Sequence, residues 1–338
     1  MPLTLQVDTA RWRDHLKSFA AAHAGLVPVA KGNGYGFGTG TLAAEAAALG
    51  VGTVAVGTYD ELDAAGSFRG ELLVLAPWRP GDEPHAAPVI HTVSRLADLR
   101  ELARLDTNAP HVVVEVMTSM RRHGIAPDEI EEAASLLDGV RFRGWALHLP
   151  LDGDRTEQAR TLGRRATAAA SGPLWVSHLG EAGAAAVAEE TGIEVRQRIG
   201  TALWLGSRPA LKARATVLDV HELRRGDRYG YRQRRAPRAG RLLVVAGGTA
   251  HGIALEAPTP AVSLRQRAVS IAKGGLEAAG RALSPFYVAG RRRWFAEPPH
   301  MQCSMIWLPN DVQPPDVGDE LDVEVRFTTT SFDEVRWA

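Results

Sequence analysis

The chain has 338 residues, with 39 Lys plus Arg against 39 Asp plus Glu, so its formal charge is zero and no global field draws it to nucleic acid or an anionic membrane. That length lies beyond the size at which single cores stop growing, so two domains are expected. The only cysteine, Cys303, excludes an internal disulfide framework and a thiolate zinc cluster, leaves no metal site to read, and points to a reducing, cytoplasmic setting. The start MPLTLQVDTARW has no basic end followed by an apolar core, and no apolar stretch approaches the ~18 residues a membrane helix needs.

In chain order, short apolar or β-branched runs bounded by Gly and Pro recur at 26–30, 53–56, 72–76, 88–93, 111–116, 142–147, 174–177 and around 195–205. Between them, 41–50, 95–105, 127–137, 154–171 and 182–191 carry helical signals, with Pro127 in a first-turn position and Gly50 at a stop. Eight such units, with strands nearly continuous in apolar character, predict a closed parallel (β/α)8 barrel over 10–209. An open doubly wound sheet is the competing architecture, disfavoured by the strand count. After Gly206 to Pro209 the texture changes to short strands with turn signals: ATVLDVHEL, RLLVVAGG, MIWLP and LDVEVRFTTT. A mainly β domain is expected over 210–338, with the opening strand in 1–9 belonging to it. The Arg-rich piece 221–241 reads as a solvated loop or an interface rim, since a nucleic-acid site would want a broader basic surface.

Lys31 ends the first apolar run and opens KGNGYGFG, so a barrel puts its amine at the C-terminal mouth, where barrel active sites lie. An amine leaving a low-dielectric core has its charged form disfavoured, which suits it to Schiff-base chemistry with an aldehyde. Position alone is better met by a snorkelling surface lysine. The glycine spacing is not a phosphate-loop fingerprint.

The string AKGNGYGFGTG strongly resembles the alanine racemase signature, and further matches follow in that family's order along nearly the whole chain: VEVMTSMRRHG, GWALHL, VRQRIGTALWLG, VVAGGTAHG and PPHMQCSMIWLP. The resemblance implies a fold-type III pyridoxal-phosphate enzyme acting on a small amino acid, as a homodimer with shared active sites. It implies that Lys31 holds pyridoxal 5'-phosphate as an aldimine, with Tyr35 near the phosphate, Arg122 at the ring oxygen and the substrate, and His148 beside the cofactor. It further implies Arg198 at the ring nitrogen, Gly200 and Thr201 at the phosphate, and Met301 facing the substrate. An arginine does not readily give up a proton, so Arg198 would leave the ring nitrogen unprotonated and favour proton transfer over transamination.

Departures from the pattern concern the second face. Racemisation needs an acid/base group on each side of the α-carbon, and where the family has a tyrosine supplied by the partner chain, this chain has Thr249, whose hydroxyl is a poor base near pH 7. His251 and His300 are the nearby candidates to replace it, and Cys303 reads as buried and inert. Ala182 and Phe332 stand where the family offers hydroxyls, and each lost hydrogen bond to a phosphate costs ~1.5–3 kcal/mol of binding unless compensated. Glu115 stands where the family often has a modified lysine and would orient Arg122. The expected function is therefore an amino-acid racemase relative, alanine being the first candidate substrate. The alternatives are a single-faced enzyme of proton exchange or decarboxylation, and a catalytically silent regulatory scaffold.

Overall fold

The structure, a computed structural model, describes residues 2–105, 109–255 and 282–338. The chain divides into two compact units, Arg13–Ser207 and the residues up to Trp12 together with Arg208–Ala338. Strand β1 (Leu3–Val7) belongs to the second unit and is followed by helix α1 (Thr9–Ala22). Sequence reading missed this helix although its signal is present: the Asp8 carboxylate accepts the Arg11 N–H at 3.1 Å, and Trp12 and Leu16 are buried four residues apart.

The unit Arg13–Ser207 is built on eight parallel strands: β2 (Leu26–Pro28), β3 (Thr53–Val56), β4 (Glu71–Pro77), β5 (Val89–Val93), β6 (His111–Val116), β7 (Arg141–His148), β8 (Leu174–Ser177) and β9 (Val195–Ile199). Their order is β2-β9-β8-β7-β6-β5-β4-β3, and a parallel bridge between Val29 and Ala55 joins the two ends. The sheet thus closes into a barrel, and the doubly wound alternative falls. Crossovers carry α2 (Thr39–Ala48), α3 (Leu96–Arg104), α4 (Ile130–Ser135), α5 (Arg155–Ala169) and α6 (Glu181–Thr191). The helix expected over 127–137 is shorter, because Pro127 opens a 3-10 turn before α4. The last run, expected as one apolar segment over 195–205, splits into β9 and the short helix α7 (Thr201–Leu205).

Alternation along the strands lays out the interior in layers. Val27, Val29, Ala55, Leu73, Ile90, Val113, Ala146 and Trp175 form one inward-facing apolar cluster. On β9 the inward residue level with Trp175 is Arg196, whose guanidinium lies 4.7 Å from the centre of the Trp175 ring. Two residues further along each strand path comes the next inward set: Lys31, Gly57, Leu75, Thr92, Glu115, His148, Ser177 and Arg198. The apolar floor and the polar mouth are therefore one strand pleat apart. Gly144 permits this on β7, where the β6–β7 register shifts: its φ is +119°, and a Cβ there would run into the Pro173 carbonyl.

The second unit is one mainly antiparallel sheet. It comprises β1, β10 (Leu211–Leu223), β11 (Arg228–Tyr229), β12 (Arg234–Arg235), β13 (Gly240–Ala246), β14 (Leu283–Val288), β15 (Arg291–Phe295), β16 (Cys303–Pro309), β17 (Glu320–Asp322) and β18 (Glu334–Trp337). The strand order is β14-β15-β16-β13-β10-β1-β18, with β17 also on β10 and β11-β12 forming a separate hairpin. Leu3, Val217, Leu243, Val245, Phe286 and Ile306 lead its core. The stretch LDVEVRFTTT is not one long strand: β17 pairs only with Arg214–Thr216, and the chain then turns where the Arg326 carbonyl accepts the Thr329 and Thr330 N–H groups. The Arg-rich piece 221–241 forms the end of β10 and the small exposed hairpin.

Candidate active site

Lys31 leaves the barrel just beyond β2, where Val29 N–H donates to the Ile199 carbonyl and Ala30 N–H to Ala55, so the lysine is carried by the two ladders that flank β2. Its side chain is exposed at the mouth, yet its amine lies below its usual pKa of 10.5, chiefly from lost hydration, then from Arg122, with Glu61 opposing and Arg198 adding to the depression. Glu61, which sequence reading did not single out, takes the Gly32 N–H at 2.8 Å and the Gly57 N–H at 2.7 Å. Its carboxylate thereby clamps the turn after β2 to the end of β3.

The turn after Lys31 fixes Tyr35. The Asn33 side chain accepts the Tyr35 N–H at 3.1 Å, which supports the left-handed φ of 55° at this tyrosine. The buried Tyr35 hydroxyl bonds the Thr201 side chain and lies against Gly200, where any Cβ would overlap it. Burial raises the phenol's pKa, with the Thr201 bond opposing, so it stays a neutral donor. Tyr35, Gly200 and Thr201, far apart in sequence, thus form one corner between β2 and β9.

Arg198 is buried at 5 % exposure, and its Nη2 donates to the Leu147 carbonyl at 2.9 Å while its Nε has no partner among the described residues. Burial lowers its pKa to about 10, against the pull of buried Glu115 and with a further push from Arg122. A buried guanidinium N–H without an acceptor is uncommon, because leaving it unmade costs the full desolvation of the donor. His148 at the end of β7 is held neutral, its pKa lowered to about 3 by burial and then by Arg198, Arg122, His178 and Lys31. His178, another residue sequence reading missed, follows β8, and its ring lies 5.1 Å from that of His148, edge on. Strand alternation would turn it away from the mouth, since it directly follows Ser177 of the mouth layer, and its left-handed φ of +64° breaks that alternation. Arg122 stands exposed after β6, and Ala182 is exposed near the start of α6.

The His148 shift makes a stability prediction. Between about pH 6.5 and 3 the unfolded chain carries a proton on this ring that the folded barrel does not. The contribution is complete above pH 6.5 and is lost progressively as pH falls through that window. Thermal unfolding followed from pH 7.5 to 4.5 should show a Tm decline that is shallower in His148→Gln.

In the second unit, the two β-domain motifs are brought together. Thr249 N–H donates to the His300 carbonyl at 2.8 Å and Ala250 N–H to the Met301 carbonyl at 3.0 Å, and both Thr249 and Met301 are exposed. His251 is not available as a base. Its Nδ1 accepts the Gly248 N–H at 3.2 Å and its Nε2 donates to Asp333 at 3.0 Å, so both nitrogens are spent holding this loop to β1 through Asp333, which also takes the Leu3 N–H. Burial alone would raise the Asp333 carboxyl, but the Leu3 N–H and His251 outweigh it and hold it low. His300 is engaged through Nε2 with the buried Glu297 at 2.6 Å, and its Nδ1 faces the Cys303 sulfur at 3.8 Å. Burial and Glu297 raise the Cys303 thiol, so it is held as an unreactive S–H. Phe332 packs at the edge of the apolar core beside Phe327.

A closed parallel barrel with a crowded amine, two arginines and two histidines at its mouth, followed in the chain by an antiparallel sheet, defines a class of lysine-bearing barrel proteins. The family model described as "Alanine racemase, N-terminal domain" matches residues 7–208. The chain belongs to the alanine racemase family. Among solved structures, alanine racemase from Bartonella henselae with covalently bound pyridoxal phosphate is similar at a TM-score of 0.72 and 15% identity, with 99% of each chain covered. The biosynthetic alanine racemase from Pseudomonas aeruginosa follows at 0.68 and 17%, covering 100% of this chain and 99% of that one. Alanine racemase from E. faecalis also gives 0.68 and 17%, over 100% and 98%. At such identities these likenesses establish the fold. No curated protein matches the chain in sequence. Among the described residues no helix is long and apolar enough to cross a membrane, and no group of His, Cys, Asp and Glu is arranged to hold a metal ion.

Proposed function

We propose that this chain is a pyridoxal-phosphate-dependent racemase of a small neutral amino acid, alanine being the first candidate, working as a homodimer. The observation that carries this reading is the Lys31 amine, held below its usual pKa near a buried Arg198 whose Nε has no acceptor among the described residues. The residues present fit the cofactor: a nucleophilic amine for its aldehyde, an orphaned donor for its ring nitrogen, and a Tyr35–Gly200–Thr201 corner for its phosphate. When bound, the cofactor acidifies the substrate's α-carbon by taking up its electron pair.

The chain's own residues do the rest. Arg198 can bond a ring nitrogen without handing over its proton, since even at about 10 its pKa keeps it charged at neutral pH. Arg122 offers an exposed guanidinium to a carboxylate, and Lys31, once freed from the aldehyde, can carry a proton to one face. Tyr35 and Thr201 supply hydroxyls to a phosphate, which offsets what Ala182 and Phe332 do not offer. The test is one absorption spectrum of protein expressed with ample cofactor, before and after borohydride, followed by peptide mapping. The expected result is a single reduced label on Lys31, and protein with no aldehyde-derived band would reject the reading.

A further inference from the structure

The proposed chemistry needs a second proton carrier, and among the described residues the two β-domain motifs offer a weak set: Thr249 has only a hydroxyl, both His251 nitrogens are occupied, and the His300 nitrogens face Glu297 and Cys303. The barrel mouth itself holds two histidines whose ring nitrogens have no hydrogen-bond partner among the described residues, His148 and His178. The sheet order places them. Along β2-β9-β8-β7 the functional groups run Lys31, Arg198, His178, His148, so Arg198 stands between the lysine and the histidine pair. His178 is the more exposed of the two and is fixed by its backbone: its φ is +64°, uncommon for a residue with a side chain, and Arg155 Nη1 donates to its carbonyl at 2.7 Å.

Resting on the racemase reading, we propose that His178 is the second proton carrier of this site, working on the face of the α-carbon away from Lys31. In one direction the C–H bond on that face breaks, its proton passes to the neutral imidazole, and the Lys31 ammonium supplies the proton of the new C–H bond on the other face. The reverse direction returns both protons, so no outside acid or base is consumed. The charges around the ring favour its neutral form: lost hydration comes first, then Arg198 from β9, Arg155 from α5, Lys31 after β2 and Arg122 after β6. His148 is the less exposed of the two, and its pKa is lowered to about 3. It supports the His178 ring by packing edge on.

Two measurements test this. In the full chain purified without added cofactor, imidazole NMR should show His178 titrating below the ordinary 6.5 and moving up when Lys31→Met removes one of the cations around the ring. An unchanged titration would mean that the two groups do not share one site and would overturn the proposal. In cofactor-loaded protein, His178→Asn, which tolerates the left-handed backbone, should lower racemisation about 100-fold or more. It should still exchange the α-proton of one enantiomer in deuterated buffer with retention, and should keep the borohydride label on Lys31. His178→Gln should behave alike. If His178→Asn racemises both enantiomers as the parent does, the proposal is wrong while the racemase reading stands. If the loaded parent exchanges no α-proton at all, both fall, whatever the NMR coupling shows.

Discussion

Lys31→Ala is expected to abolish the borohydride-fixed label and to lower any racemisation by about 10⁴-fold or more, because on the racemase reading the substitution removes an attachment point and a proton carrier together. The fold should survive it. Lys31 is exposed at the strand end, and its neighbours in the turn are held by Glu61 and Asn33 rather than by the amine. A Lys31→Ala protein with unchanged Tm and no label would therefore isolate the chemistry from the architecture. Retention of more than a tenth of parental racemisation would mean that another amine carries the reaction and that the mouth has been misread.

The second large effect is expected at Arg198. Arg198→Leu takes a cation out of the buried mouth and leaves Glu115, at 3 % exposure, without the inner charge that faces it. The two attract one another across the mouth without an ion pair between them. Leaving a buried charge uncompensated typically costs about 3–5 kcal/mol where the two are in contact, the upper bound here, whereas replacing both by apolar groups is often neutral. The single variant should therefore unfold at markedly lower denaturant, and Arg198→Leu combined with Glu115→Leu should recover most of that loss. Urea titrations of the four proteins form the cycle. If the double variant is as unstable as the single one, Glu115 is balanced by something other than Arg198, and exposed Arg122 would be the group to vary next.

These two residues were legible in the sequence for different reasons. Lys31 follows Val27 and Val29 at the strand period, so once the strand is recognised its place at the mouth follows. Arg198 was legible only through the resemblance carried by VRQRIGTALWLG, because the expected run over 195–205 conceals that the strand stops at Ile199 and that a helix begins at Thr201. Glu61 and His178 were not legible, since each matters only because strands distant in sequence lie side by side. Glu61 reaches Gly32 across the β2–β3 seam, and His178 meets His148 across β7 and β8. His251 shows the opposite failure. Its residue type and spacing suggested a base, but Asp333, 82 positions away, takes its second nitrogen.

By itself the sequence determined the class of the fold, because hydrophobic period, turn residues and strand count are local properties that repeat along the chain. It also placed Lys31 at the barrel mouth, because that residue closes an apolar run whose side chains alternate between the faces of a strand. Only the tertiary structure decided which mouth residues share a hydrogen bond, a field or a neutral proton state. Closure of the barrel sets Lys31, Arg198, His178 and His148 on adjacent strands, and loss of water there lowers the pKa of all four. Desolvation and charge proximity are properties of that assembled surface, and no segment of the chain carries them alone.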